Sequence, residues 1–289
     1  MIENDIFDRE ILSPRSDYIF RLLFGDERNI EILRGFLSAA LDIPQDEYDK
    51  IELVDPHLKK ETSEDKLGIL DVLLHTKSGI RINVEIQLLP VKAMAERITF
   101  YASRLLAGQM AEGFPYNAIK KVVCIAILDY NLIADSDSYH NRYRLYDEKH
   151  ASLFSDVLQI HTMELRKLPE PSEFAGDDLY NWLRFLAADR KEEFEMIATK
   201  SPELTKAYAV LKHLSADEQT RLEYEYREKA RLDAIGRLAY ATDLGLEKGR
   251  TEGRAEGKAE MAKHLLENGV PPEIIAKSSG LSIEEISKL

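Results

Sequence analysis

The sequence predicts an α/β domain built on a mixed sheet, followed by a region that is helical throughout. Three observations predict it. Residues 67–89 read as two strands joined by a tight turn, residues 121–130 form a nearly continuous apolar run, and from Asp177 onward apolar residues recur only at helical spacing. Pro169, Glu170, Pro171 and Ser172 punctuate the chain between these regions. They divide it into a sheet domain at 1–170, a helical region at 171–246 and a Gly/charged repeat with a small helical tail at 247–289.

Residues 14–41 form the first helical block. Phe20, Leu23 and Phe24 share one face, and Ile30, Leu33, Phe36, Leu37 and Leu41 continue it. Gly25 and Asp26 interrupt the pattern, so two helices are expected. Asp17 opens the first, either as an acid favoured by the helix dipole or as an acid lent to a site. Residues 51–54 read as a strand and 56–65 as a polar loop. Lys66 then stands as a solvated lysine or one that reaches a phosphate.

The hairpin organises the rest. Its first strand, residues 67–76, carries Asp71 inside GILDVLL. Lys77, Ser78 and Gly79 make the turn, with Gly supplying a positive φ. The second strand, residues 80–89, carries Val84-Glu85-Ile86-Gln87. Asp71 and Glu85 lie equally far from the turn and can be cross-strand neighbours. An acid among Leu, Ile and Val must find solvent, a partner or a metal ion, because burying it unpaired costs several kcal/mol. Two such acids together repel unless a divalent cation neutralises them. Gln87 follows Glu85 by two residues and so shares its face.

Pro90 reads as the first residue of a helix reaching residue 112, with Met94, Ile98, Tyr101, Leu105 and Met110 near core spacing. Arg97, Tyr101 and Arg104 fall on one face of it. Arg97 there serves either to hold a phosphate or orient a metal ligand, or to pair with a core acid. Residues 121–130 carry VVCIAIL, a strand buried on both faces. Residues 139–144 suggest a polar edge strand and 158–164 a last strand. His140, His150 and His161 show no metal-binding spacing.

Beyond Asp177, Leu179, Trp182, Leu183, Phe185 and Leu186 mark one helix. Phe194, Met196 and Ile197 mark a second, and Leu204, Tyr208 and Leu211 a third. A long charged helix covers residues 217–245. Gly249, Gly253 and Gly257 then repeat every four residues, each costing about 1 kcal/mol against Ala in a helix. That reads as a hinge or a self-association helix. The tail ends in a helix–turn–helix-like unit whose last helix offers Glu284 and Glu285 against Lys288, a poor composition for a DNA groove.

The ordered set Ser16 to Gly25, Asp71, Val84-Glu85-Ile86-Gln87, Arg97 with Tyr101, the strand at 121–130 and the Gly-Arg/Gly-Lys repeats resembles the Rpn family of recombination-promoting nucleases and transposases. That family sits within the PD-(D/E)XK nuclease superfamily. The resemblance implies a divalent-metal-dependent DNA endonuclease linked to recombination or mobile DNA, using Mg²⁺ or Mn²⁺ and no small-molecule cofactor. It implies Asp71, Glu85 and the carbonyl of Ile86 as metal ligands, with Asp17 and Gln87 beside them as catalytic residues. Arg97, Tyr101, Arg104 and Lys66 would then meet the phosphates. Gln87 stands where the superfamily usually has lysine, which keeps open a second reading: a weakly active or inactive self-associating adaptor on a nuclease fold.

Composition narrows the class further. The net charge of −13 argues against broad electrostatic nucleic-acid binding, although residues 91–121 lean basic. No apolar run approaches 18 residues and the first residues are acidic, so no membrane partner is expected and a cytoplasmic location is. Cys124, the single cysteine, lies in the apolar strand and reads as a buried, inert thiol. A homo-oligomer formed through the C-terminal helices is expected.

Overall fold

The computed structural model describes residues 10–55, 71–110, 113, 115–170 and 177–288. Helices α1 (Asp17–Phe24) and α2 (Ile30–Ala40) come first, broken at Gly25 as the sequence predicts. Strand β1 (Glu52–Val54) precedes the hairpin of β2 (Val72–His75) and β3 (Arg81–Gln87). Helix α3 (Met94–Ala107) leads to β4 (Val122–Leu128), and β5 (His140–Tyr146) and β6 (Leu153–Glu164) complete the strands. Among the described residues they form one mixed sheet in the order β1-β2-β3-β4-β6-β5, with β3, β4 and β6 parallel. Parallel strands of this kind need both faces covered, and β4 is buried at every residue.

Two apolar layers do the covering. On one face, Ile82, Val84 and Ile86 of β3 and Val123, Ile125 and Ile127 of β4 join α1 and α2. On the other, Leu73, Val122, Cys124, Ala126 and Leu128 pack against Met94, Ile98, Ala102 and Leu105 of α3. The two-residue strand period thus sorts β3 into an apolar face and a face carrying Arg81, Asn83, Glu85 and Gln87.

Helices α4 (Asp178–Ala187), α5 (Lys191–Ala198) and α6 (Pro202–Ala216) follow the sheet. They share the core of α1 and α2: Phe24 and Phe36 lie 6.0 and 6.1 Å from Trp182, and the ring series continues through Phe185, Phe194 and Tyr208. Such aromatic pairs add about 0.5–1.5 kcal/mol each beyond their buried area. The region after Pro169 is therefore packed with the sheet domain, and the compact units divide between Glu225 and Tyr226 instead. Met196, placed on a core face by spacing, is 57% exposed.

Close approach explains one glycine. A Cβ on Gly35 of α2 would meet Cβ and Cγ of Glu203 on α6 at 2.8 Å and the Trp182 ring at 3.0 Å. Gly35→Ala is expected to lower stability by roughly 1–3 kcal/mol, as overpacking does, measurable as a reduced urea midpoint with an unchanged m value.

Helix α7 (Glu218–Glu267) is continuous through the glycine repeat, where a Cβ on Gly249, Gly253 or Gly257 would meet nothing. The second unit has its own small core of Ala262, Ile275 and Ile286, in which α8 (Pro272–Ser279) and α9 (Ile283–Ile286) meet the end of α7. Ser282 and Glu285 form the capping box that starts α9. No helix among the described residues is long and apolar enough to cross a membrane.

Candidate active site

The site lies where the sheet face of β3 meets α3. The Gly79 turn, with φ +89°, sets the hairpin register that pairs Val72 with Val84. One further step of that register puts Asp71 opposite Glu85, on the α3 side with Leu73. The Asp71 carboxylate, half-buried, accepts a hydrogen bond from the Ile86 backbone N–H at 2.9 Å. Because N–H and C=O of one strand residue point the same way, the Ile86 carbonyl opens to the same side. The Ile86 side chain points into the other core and is 2% exposed.

Glu85 is 5% exposed, and a residue that sequence reasoning passed over holds it. The Asn83 amide donates to Glu85 Oε1 at 3.1 Å, leaving Oε2 without a hydrogen bond among the described residues. The signal for Asn83 was its position two residues before Glu85, hence on the same face. Gln87 continues that face and is half-buried; its carbonyl accepts from the Asp129 N–H at 2.9 Å.

Burial dominates the electrostatics. Desolvation pushes the Asp71 carboxyl up to about 7; the Ile86 N–H opposes this, the Glu85 charge adds to it, Arg21 opposes it and Asp17 adds to it. Glu85 is also raised by desolvation, against the Asn83 hydrogen bond and the Arg97 charge. Both acids hold their protons more tightly than exposed carboxyls, the condition a bound cation would reverse.

Asp17 approaches from α1. Its carboxylate takes Arg21 at 3.3 Å, an i,i+4 pair, and its charge reaches Asp71. Among the described residues, no group of three or more His, Cys, Asp or Glu side chains could hold a metal ion. The oxygens that the hairpin offers here are the two carboxylates of Asp71 and Glu85 and the Ile86 carbonyl, the donor type that hard cations take.

Arg97 and Tyr101 of α3 stand over this face. The Arg97 guanidinium lies 5.6 Å from the Tyr101 ring centre, and its Nε is buried without a hydrogen-bond partner. It closes no salt bridge with Glu85 among the described residues, although its charge favours the Glu85 carboxylate. Arg104 instead lies 5.9 Å from the ring of Phe100, which is 49% exposed. Lys66 lies outside the described residues. The helix bearing these groups starts at Met94, not Pro90, because Ala93 adopts a left-handed backbone, φ 60°, before it.

Other ionisable groups are buried near the sheet. Glu164, fully buried, takes Lys167 and the Leu132 N–H on Oε2, each at 2.8 Å, tying down the loop after β4, while its buried Oε1 has no hydrogen-bond partner among the described residues. His140 and His161 hydrogen-bond to each other at 2.9 Å, and burial lowers them to about 4 and about 3. Burial also pushes the Cys124 thiol up to about 12, leaving it inert.

No curated protein and no solved structure matches this chain. A family model described as PD-(D/E)XK nuclease family transposase matches residues 14–241, a span that contains the hairpin, α3 and every site residue named above. With a mixed sheet flanked by helices, one acid on the second strand of its hairpin and another directly before the first, the chain belongs to the PD-(D/E)XK nuclease family of transposases.

Proposed function

We propose that the protein is a divalent-metal-dependent DNA endonuclease of the Rpn type, acting in recombination or the movement of DNA and using Mg²⁺ or Mn²⁺. The observation that carries this reading is the pair of desolvated acids, Asp71 and Glu85, facing one another across the hairpin. Asp71, Glu85 and the Ile86 carbonyl would hold the ion. When bound, it would neutralise the two acids and phosphate charge and make a nearby water more acidic.

The chain's own groups do the rest. Asn83 fixes Glu85 Oε1 and the Ile86 N–H fixes Asp71, so neither carboxylate must reorganise. Gln87, on the same face, orients the attacking water through its amide without adding charge. Asp17 tunes Asp71 from α1. Arg97, already desolvated beside Tyr101, receives a phosphate oxygen, and Arg104 with Phe100 extends that surface along α3. In-line displacement then leaves a strand break. The long helix α7 and the helical tail would bring copies of the chain together.

Supercoiled plasmid is expected to be nicked or linearised with Mg²⁺ or Mn²⁺ and to stay intact with EDTA. Cleavage that ignores the chelator would sink the metal-dependent reading. The adaptor reading rests on glutamine at position 87, the net charge of −13 and the long charged helices, and predicts neither divalent-metal binding at the acid pair nor a strand break.

A further inference from the structure

Helix α3 sets cations and rings in one row. Arg97, Phe100, Tyr101 and Arg104 stand at i, i+3, i+4 and i+7, so they share a flank about 10 Å long. Contacts along it run from charge to ring to ring to charge. The Arg97 guanidinium lies 5.6 Å from the Tyr101 ring centre, Tyr101 meets Phe100 edge-on at 5.5 Å, and Arg104 lies 5.9 Å from the Phe100 centre. The row starts at the acids, because Tyr101 and Glu85 line one small cavity with Asn83. Beside the last turn of α3, Arg81 of β3 adds its guanidinium by donating to the Leu105 carbonyl at 3.3 Å.

Phe100 is the open member. Tyr101 packs against the apolar layer under α3, whereas Phe100 is 49% exposed and joins neither layer of the sheet. A lone exposed apolar residue is ordinary. This one is bracketed by a guanidinium and a second ring, one turn from the residues that line the cavity at Glu85. With those neighbours on one side, its other face is left for a flat partner to stack on.

Charge decides which form of nucleic acid fits. Helix α3 sets Glu96 against Arg97 and Arg104, and the whole chain carries −13. Duplex affinity grows with the number of phosphates neutralised, so these few cations would hold a duplex weakly. A paired base also shows a protein only its edges. An unpaired base has a free face, and stacking it on an aromatic ring supplies affinity that sparse cations cannot. Cations along the backbone with rings under the bases are how single strands are held.

We infer that the α3 row selects an unpaired DNA strand. One base stacks on Phe100, Arg104 meets the phosphate beside it, and Arg97 takes the phosphate at the acid pair. Only the last of these contacts rests on the nuclease reading of Asp71 and Glu85.

Fluorescence anisotropy on the full-length chain in EDTA tests this, comparing a labelled single strand of about 15 nucleotides with the blunt duplex of the same sequence. The strand should bind at least about tenfold tighter than the duplex. Phe100→Ala should weaken strand binding about tenfold, change duplex binding by no more than about twofold, and leave the salt dependence as it is; Phe100→Trp should restore the strand. Arg104→Ala should weaken the strand and flatten its salt dependence. A 2-aminopurine base in the strand should be quenched by the parent and by Phe100→Trp but not by Phe100→Ala. Equal affinity for strand and duplex, or none for either, would overturn the inference, and so would strand binding indifferent to Phe100→Ala. A strand held through Phe100 by a protein that never nicks plasmid would remove the nuclease reading and leave the row. Metal-dependent nicking by a protein whose strand binding ignores Phe100→Ala would do the reverse.

Discussion

Glu85→Gln should lower Mg²⁺- or Mn²⁺-dependent nicking of supercoiled plasmid by about 100-fold or more, a loss of the size seen when one charge-stabilising group is removed from a dry site. The substitution is nearly isosteric and keeps an oxygen for the Asn83 amide, which now donates to Glu85 Oε1 at 3.1 Å. What it removes is one negative charge from a group only 5% exposed, in a place where water cannot replace it. The fold should survive, since a buried neutral amide is cheaper than a buried carboxylate. Gln87→Lys should retain or raise activity by adding a cation on the same face. Gln87→Ala should cost less than Glu85→Gln, because it removes one orienting hydrogen bond and no charge. Contaminating nucleases imitate the parent protein but not this ranking. Equal cleavage by the parent and Glu85→Gln from matched preparations would leave the adaptor as the better reading.

How far the sequence could be read depended on whether the signal was local. The hairpin was legible because Gly79 fixes the turn and the two-residue period then pairs Asp71 with Glu85 without further information. The break at Gly25, the edge position of β5 and the complete burial of β4 were equally local. Where α3 begins was not: Pro90 looks like a helix start, but the left-handed Ala93 delays the helix to Met94. Pro169 looks like a boundary, yet Trp182 packs against Phe24 and Phe36, more than 140 residues away in sequence. Asn83 was passed over because a polar residue in a strand usually faces solvent, and only burial by α3 makes it a partner for Glu85. The last strand, expected at residues 158–164, instead begins at Leu153, because Leu153 and Ser155 pair with Tyr146 and Leu145 of β5, a cross-strand contact that no local pattern announces.

Without a divalent ion, stability should fall as pH rises from about 4 to 7, and Asp71→Asn should remove most of that fall. The Asp71 carboxyl is raised from 3.8 to about 7 in the folded chain, desolvation being the largest cause. Below pH 4 it is protonated whether folded or not and contributes nothing to the difference. Between the two values the unfolded chain ionises while the folded chain keeps its proton, so stability drops with each pH unit. Above 7 both forms are ionised and the full penalty, on the order of 4 kcal/mol for a shift of about three units, is in force. Glu85, raised in the same direction, adds to it. Asparagine at position 71 still offers an oxygen to the Ile86 N–H, so the hydrogen bond at 2.9 Å is kept while the charge is lost. Thermal melts at pH 5 and pH 8 should therefore differ less for Asp71→Asn than for the parent, with Asp71→Asn the more stable at pH 8. Mn²⁺ should act the other way, raising the melting temperature of the parent at pH 8 by offsetting the two charges. At 100 times its dissociation constant the ion adds roughly 2.7 kcal/mol, and in Asp71→Asn that increment should disappear. A Mn²⁺ shift of equal size in both proteins would put the ion elsewhere, and an Asp71→Asn variant less stable than the parent at pH 8 would mean that Asp71 is ionised and satisfied without any metal.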